Sequence, residues 1–233
     1  GGHFAGVVWW ERQRRLHPLL AAHTRVFSIL QPLDVLVTRL NEWQPAFVGS
    51  YPTMLALLAG EQCEGRLKIR PRAVWSGGEA LTAADRVAIA DGFACPVIED
   101  YGASECMQIA FGCRHGRLHL NDDWVELEPV DDRGRPVPPG QPSDTVLLTN
   151  LANRVQPVIR YDLGDSVTLD PAPCPCGQRR PSVQVQGRRD DVLVLDGAAG
   201  ASVRLLPLAI ETVIEEEAGV HRFQLVQTGR NAL

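Results

Sequence analysis

Apolar and polar positions divide the chain into two textures. Up to about residue 105, short apolar runs alternate with segments of helical period. "RVFSIL" at 25–30 reads as a strand, after which Leu33, Leu36, Val37, Leu40 and Trp43 recur at helical spacing. Pro32 stands where that helix begins and Pro45 where it must have ended. "AFVGS" predicts the next strand, "PTMLALLAGEQ" a helix and "AVWSGG" a third strand. Thr82, with Asp85 three residues on, caps the predicted helix "AADRVAIADGF", and "PVIEDYG" is a fourth strand. Strands alternating with helices predict a largely parallel sheet with flanking helices.

Beyond Glu105 the runs shorten. "RLHLN", "WVELEPV", "TVLLTNL", "VIRYDLGDSVTL" and "VQVQGRRDDVLVL" are β-like, separated by the turn-rich "DDRGRPVPPGQP" and "DPAPCPCGQRRP". This predicts an antiparallel β region. A helix then starts at Pro207, carries Ile210, Val213 and Ile214 on one face and stops at Gly219. "RFQLVQT" predicts a final strand. The fold class expected is α/β, followed by antiparallel β and the start of a small α+β domain.

One strand end concentrates chemistry. "VIEDYGASEC" (97–106) runs from a predicted strand into Tyr101, Gly102, Ala103, Ser104 and Glu105. In a parallel sheet, ligands bind where loops diverge beyond the strand ends. There Tyr101 could stack on a planar ring, Gly102 could admit a ligand to the backbone, and Glu105 could hold a hard cation such as magnesium. An ordinary turn with a buried tyrosine is the competing reading.

Composition narrows the classes. The 233 residues suffice for one large domain or a domain and part of another, and the opening "GGHFAG" lacks a Met, suggesting a chain cut from something longer. Net charge is −5, which argues against a nucleic-acid surface, and "ERQRR" at 11–15 reads as a solvated helix face. No apolar run reaches the roughly 18 residues of a membrane span, and no signal peptide is visible. Six cysteines in a long chain without a secretory signal point to a reduced, cytoplasmic protein. Only one of the 23 basic residues, Lys68, is a lysine, so chemistry needing a lysine has one candidate.

Four further stretches complete a set with "VIEDYGASEC": "GSYPTML" (49–55), "WSGGEAL" (75–81), "VIRYDLGD" (158–165) and "GRRDDVLVLDG" (187–197). In this order they resemble the adenylate-forming (ANL) superfamily, and more closely its phenylacetate–coenzyme A ligase branch, from about residue 25 to 228. The resemblance implies an enzyme that uses ATP to convert a carboxylic acid to an acyl-adenylate, then passes the acyl group to a thiol such as coenzyme A. It further implies that Gly77, Gly78 and Glu79 line one side of the adenine while Tyr101 stacks on the other. Glu99 would bond the adenine amine, Ser104 would contact the phosphate region, and Glu105 would hold magnesium. Asp165 would accept both ribose hydroxyls and Arg188 would reach the ribose and phosphate. Asp190 matches the hinge between a large domain (1–187) and a small C-terminal one (188–233). Tyr51 and Pro52 would border the acid pocket, whose small residues and tyrosine suit an aryl acid. Asp162 and Leu163 stand where the family usually has Arg and Thr.

The family's phosphate loop lies upstream of this sheet and its catalytic lysine near a later C-terminus. Lys68 is in the wrong place, so the expectation is a piece that does not complete the reaction alone. A non-catalytic nucleotide-binding module, or an enzyme that hands the acyl group to a protein thiol or an amine, remain alternatives. A homodimer is also among the expectations.

Cys113 and His119 (C-x5-H) and Cys174 and Cys176 (C-x-C) form two pairs on distant β-loops, the form of a structural zinc site. His115 competes with His119; the family's "LH" after the first cysteine favours His119. Cys63, Cys95 and Cys106 are read as ordinary thiols. A nucleophilic Cys106 is disfavoured, because the adjacent carboxylate of Glu105 would raise its pKa.

Overall fold

A computed structural model describes residues 12–13, 15–196 and 202–206, with positions 210, 213, 214, 218, 220 and 225–229. Its regular elements begin with α1 (Pro18–His23), α2 (Leu33–Trp43), β1 (Phe47–Ser50), α3 (Pro52–Cys63), β2 (Ala73–Ser76), α4 (Ala83–Phe93) and β3 (Val97–Ala103). The all-β stretch follows: β4 (Cys106–Gly112), β5 (Leu118–Leu120), β6 (Val125–Val130), β7 (Thr145–Asn150), β8 (Val158–Asp162), β9 (Asp165–Leu169) and β10 (Ser182–Arg188). A single 3-10 turn (Arg189–Asp191) leads to the hairpin β11 (Leu193–Asp196) and β12 (Ser202–Leu205).

Local chemistry explains the helix ends. α2 buries Leu36, Val37 and Leu40, and ends where Gln44 turns left-handed (φ 49°) and donates its N–H to the Leu40 carbonyl. Pro45 then prevents continuation. Pro52 occupies the first turn of α3, where no backbone donor is needed. The Thr82 side chain accepts from Asp85 N at 3.1 Å, the cap the sequence predicted for α4.

The seven-stranded sheet runs β1-β2-β3-β4-β5-β10-β9. β1, β2 and β3 are parallel, and every later pairing is antiparallel. Helices α2, α3 and α4 pack one core with Val48 and Val74. On the other face Phe47 is 69% and Trp75 42% exposed. A second core joins Tyr101, Ile109, Leu118, Val167 and Val183 to Val125, Leu127, Val146 and Leu148 of the separate sheet β6-β7-β8. The expected α/β architecture, parallel strands followed by antiparallel β, is what the structure has.

Three strand expectations are corrected. Residues 24–28 have no regular structure and 29–30 form a turn, so "RVFSIL" is not a strand. β1 is the edge of the sheet, leaving that run no partner. Its side chains lie on α2 instead: the Arg25 guanidinium is 4.5 Å from the Trp43 ring centroid, and that of Arg39 is 5.1 Å from Phe27. "VIRYDLGDSVTL" is two strands, because the chain turns at Leu163 and Gly164 (φ 72°) from the small sheet into the large one. β4 escaped the sequence reading because period-two alternation fails there. Met107 and Gln108 are exposed, Ile109 and Ala110 buried, and the pairing with β3 slips between Tyr101 and Ala103.

The helix expected from Pro207 and the strand expected at 222–228 fall largely outside the described residues. Ile210, Val213 and Ile214 are helical, whereas 225–228 form no strand. The Gln227 side chain instead bonds both the N–H and the carbonyl of Val194.

Candidate functional site

The ends of β2 and β3, the β8–β9 turn and the end of β10 surround one large open crevice of about 1360 Å³. Its geometry depends on curvature of the sheet. β3 and β9 are four strand spacings apart in hydrogen-bonding order, which in a flat sheet is ~19 Å. Yet the Tyr101 hydroxyl donates to Asp165 Oδ2 at 2.8 Å. The antiparallel half therefore curls until its far edge faces the parallel strands.

Asp165 opens β9 immediately after the turn that switches sheets. That turn is pinned by Asp162, whose Oδ1 accepts from Gly164 N at 2.9 Å and from the Thr145 hydroxyl, and whose Oδ2 pairs with Arg189 at 3.0 Å. Arg188 reaches Asp165 at 3.5 Å, instead of pairing with Asp190 or Asp191. Burial pushes the Asp165 carboxyl above the usual aspartate range, against the Tyr101 hydroxyl and Arg188, which pull it down. Burial, and then the Asp165 carboxylate, raise the Tyr101 hydroxyl well above the usual phenol value.

Gly77 and Gly78 line the crevice beside Tyr51. Gly78 has φ 83°, and a Cβ there would lie 2.7 Å from Tyr51 Cε1, so only glycine fits. Glu79 turns back to accept from the Thr53 hydroxyl at 2.8 Å, holding the first turn of α3. Pro52 is buried beneath that turn and is not among the crevice residues. Gly102 serves its own hairpin as well: a Cβ would meet the Met107 carbonyl oxygen at 2.2 Å. Ala103, Ser104 and Glu105 follow along the rim, with Ser104 exposed and Glu105 half-buried.

Four crevice residues were not singled out from sequence. Asp100 Oδ1 accepts from the Trp75 indole N–H at 2.6 Å, lying against Gly77. Arg86 forms an ion pair with Glu99. The Glu105 carboxylate beside the Tyr161 hydroxyl raises the Tyr161 pKa. Trp75, Asp100 and Tyr161 lie inside the quoted motifs without a role assigned to them, and only the fold brings Arg86 to the crevice. Lys68 lies outside the crevice. Asp190 sits exposed in the 3-10 turn that follows β10.

The four expected metal ligands converge. The ligand atoms of Cys113, His119, Cys174 and Cys176 all lie within 4.8 Å of one another. Cys113 Sγ is 3.7 Å from Cys174 Sγ, and Cys176 Sγ is 3.3 Å from His119 Nε2. A tetrahedron with zinc–sulfur bonds of about 2.3 Å has a sulfur–sulfur edge of about 3.8 Å, so this donor set fits zinc. His119 is fully buried and its Nδ1 is 3.1 Å from the Arg180 carbonyl, leaving Nε2 for the cluster. His115 is exposed and outside the cluster; its backbone N–H donates to Cys113 Sγ. Burial opposes ionisation of Cys113, but that N–H and the neighbouring His119 and Cys174 pull its thiol down to about 6. Cys106 is raised, as expected, though by burial and not by Glu105.

No family model matches the sequence. Protein CapK of Staphylococcus aureus is 24% identical over 191 residues, 80% of this chain and 40% of CapK. A 2-hydroxyisobutyryl-CoA ligase, solved with its acyl-AMP and CoA, superposes with a TM-score of 0.64 at 24% identity, covering 82% of this chain and 44% of the ligase. The anthranilate CoA ligase AuaEII, solved with anthranoyl-AMP, gives 0.64 at 20% identity, covering 84% and 39%. The chain thus spans about two fifths of the length of these proteins. Over the superposed residues its fold is that of these CoA ligases.

Proposed function

We propose that the crevice binds the adenosine part of ATP, and that the protein belongs to a ligase activating a carboxylic acid as its acyl-adenylate. The observation that carries this reading is the constellation of Tyr101, Asp165 and Arg188 at the mouth of a curled sheet. An aromatic ring, a two-oxygen acceptor and a cation are what a base, a ribose diol and a phosphate respectively require.

In this reading Tyr101 and the Gly77–Glu79 strand end enclose adenine, and Glu99 accepts from its amine. Asp165 exchanges its bond from Tyr101 for the two ribose hydroxyls. Arg188, on the exposed side of Asp165, faces the phosphate, with Ser104 on the opposite rim. Glu105, beside Tyr161, offers hard carboxylate oxygen at the crevice, which fits magnesium. Magnesium bound there would neutralise phosphate charge. The acid, an aryl acid in this reading, lies towards Tyr51, and coenzyme A takes the acyl group. Asp190 is the hinge of a C-terminal domain starting at 188. Zinc on Cys113, His119, Cys174 and Cys176 is structural, because four protein ligands leave no open position. All six cysteines are free, which suits a reducing cytoplasm.

The test is ATP–pyrophosphate exchange by the full-length protein with benzoate, phenylacetate and short aliphatic acids supplied singly. Exchange that depends on one acid, with a thioester formed when coenzyme A is added, is the expected result. Nucleotide binding without exchange for any acid would replace the ligase by a binding module.

A further inference from the structure

Glu99, in β3, lines the crevice where the nucleotide reading puts the base, and burial, Arg86 and Asp100 all bear on its charge. Arg86, in the first turn of α4, forms an ion pair with Glu99 Oε2, and the two side chains are 28% and 17% exposed. Behind the guanidinium lies the turn that carries Cys113: a Cβ built on Gly116 would be 3.8 Å from Arg86 Cζ and Nε. Arg86 is thus held between a carboxylate and a turn tied to the four-residue cluster.

The chemistry follows from donor and acceptor counts. An ionised carboxylate only accepts hydrogen bonds, whereas a protonated one also donates. Burial raises the Glu99 carboxyl above its ordinary range, and Arg86 is what opposes that rise. A guanidinium keeps its charge throughout the accessible pH range, so its partner stays an acceptor. The ion pair uses Oε2 and leaves Oε1 for a ligand. An acceptor at that point suits the exocyclic amine of adenine and repels the 6-oxo group of hypoxanthine.

We propose that Arg86 is a specificity-determining, positioning residue: by pairing with Glu99 it fixes an acceptor at the base end of the crevice and makes the site select adenine over 6-oxo purines. The proposal rests on the nucleotide reading of the crevice. It is tested by titrating AMP and IMP, by calorimetry, into the zinc-loaded protein and its Arg86→Gln, Arg86→Lys and Glu99→Gln variants. The parent should prefer AMP by at least about tenfold, as expected of a site with a buried charged acceptor. Arg86→Gln should erase most of that preference, and Arg86→Lys should retain it because a point charge still holds the carboxylate. Glu99→Gln, whose amide can donate to an oxo group, should narrow the preference or invert it. An unchanged AMP-to-IMP ratio in folded Arg86→Gln would overturn the proposal. So would an equal loss of affinity for both nucleotides, the mark of a purely structural arginine. Binding of neither nucleotide by the parent would overturn the nucleotide reading itself, and this inference with it.

Discussion

The Tyr101 hydroxyl donates to Asp165 at 2.8 Å although 64 residues and three intervening strands separate the pair. The bond closes the curl of the sheet and at the same time occupies the oxygen that a ribose would need. Tyr101→Phe keeps the ring and deletes the donor. The expected outcome is a loss of about 1–3 kcal/mol in stability, the cost of an unsatisfied buried acceptor. AMP affinity should not fall, because the ligand no longer displaces a hydroxyl. Urea unfolding and AMP calorimetry on the same variant check both halves.

Asp165 also sets a pH dependence. Its carboxyl is raised in the folded protein, chiefly by burial. It therefore binds its proton more tightly folded than unfolded, and its contribution to stability falls as pH climbs from the unfolded value, about 3.9, through the raised one. Asp165→Asn removes this loss. The variant should be more stable than the parent at pH 7, by a margin that shrinks as pH approaches 4. Thermal melts across that range would show it, and a margin independent of pH would contradict it.

The metal cluster should bind one zinc per chain. Cys176→Ser is expected to lose the metal and lower the melting temperature, since the cluster joins the β4–β5 turn to the loop before β10. His119→Ala should do the same, whereas His115→Ala should leave zinc in place. Because thiols must ionise to bind, zinc retention should decline as pH is lowered. Metal analysis of protein prepared without added zinc decides each point.

Zinc removal should also weaken nucleotide binding. The turn at Gly116 backs Arg86, and residues 115–118 and 183–185, from the two arms of the cluster, line the crevice. Loosening that wall adds an ordering cost to ligand binding, and by linkage AMP should tighten zinc binding, measured at equilibrium against a chelator, by the same factor. Equal AMP affinities with and without zinc, in folded protein, would separate the two sites.

Much of this was legible in the sequence for identifiable reasons. The helices carry proline, threonine and glycine punctuation at their ends, and α2, α3 and α4 were all anticipated. The cysteine and histidine pairs were read from their spacing together with the family resemblance, which favoured His119 over His115. Sequence could not show the curl that brings Asp165 to Tyr101, since curvature arises from pairing and bulges summed over five strands. For the same reason nothing in the sequence singled out Arg86. "RVFSIL" misled because apolar β-branched composition speaks of burial, and here burial is supplied by α2 instead of a neighbouring strand.

The central claim is that the crevice is an adenosine nucleotide site organised around Asp165. Isothermal titration of AMP into this protein and into Asp165→Ala tests it most directly. The account predicts saturable binding at one site per chain, weakened at least about tenfold in the folded variant, as loss of hydrogen bonds to a charged acceptor requires. No binding to the parent, or equal binding to both proteins, would contradict it.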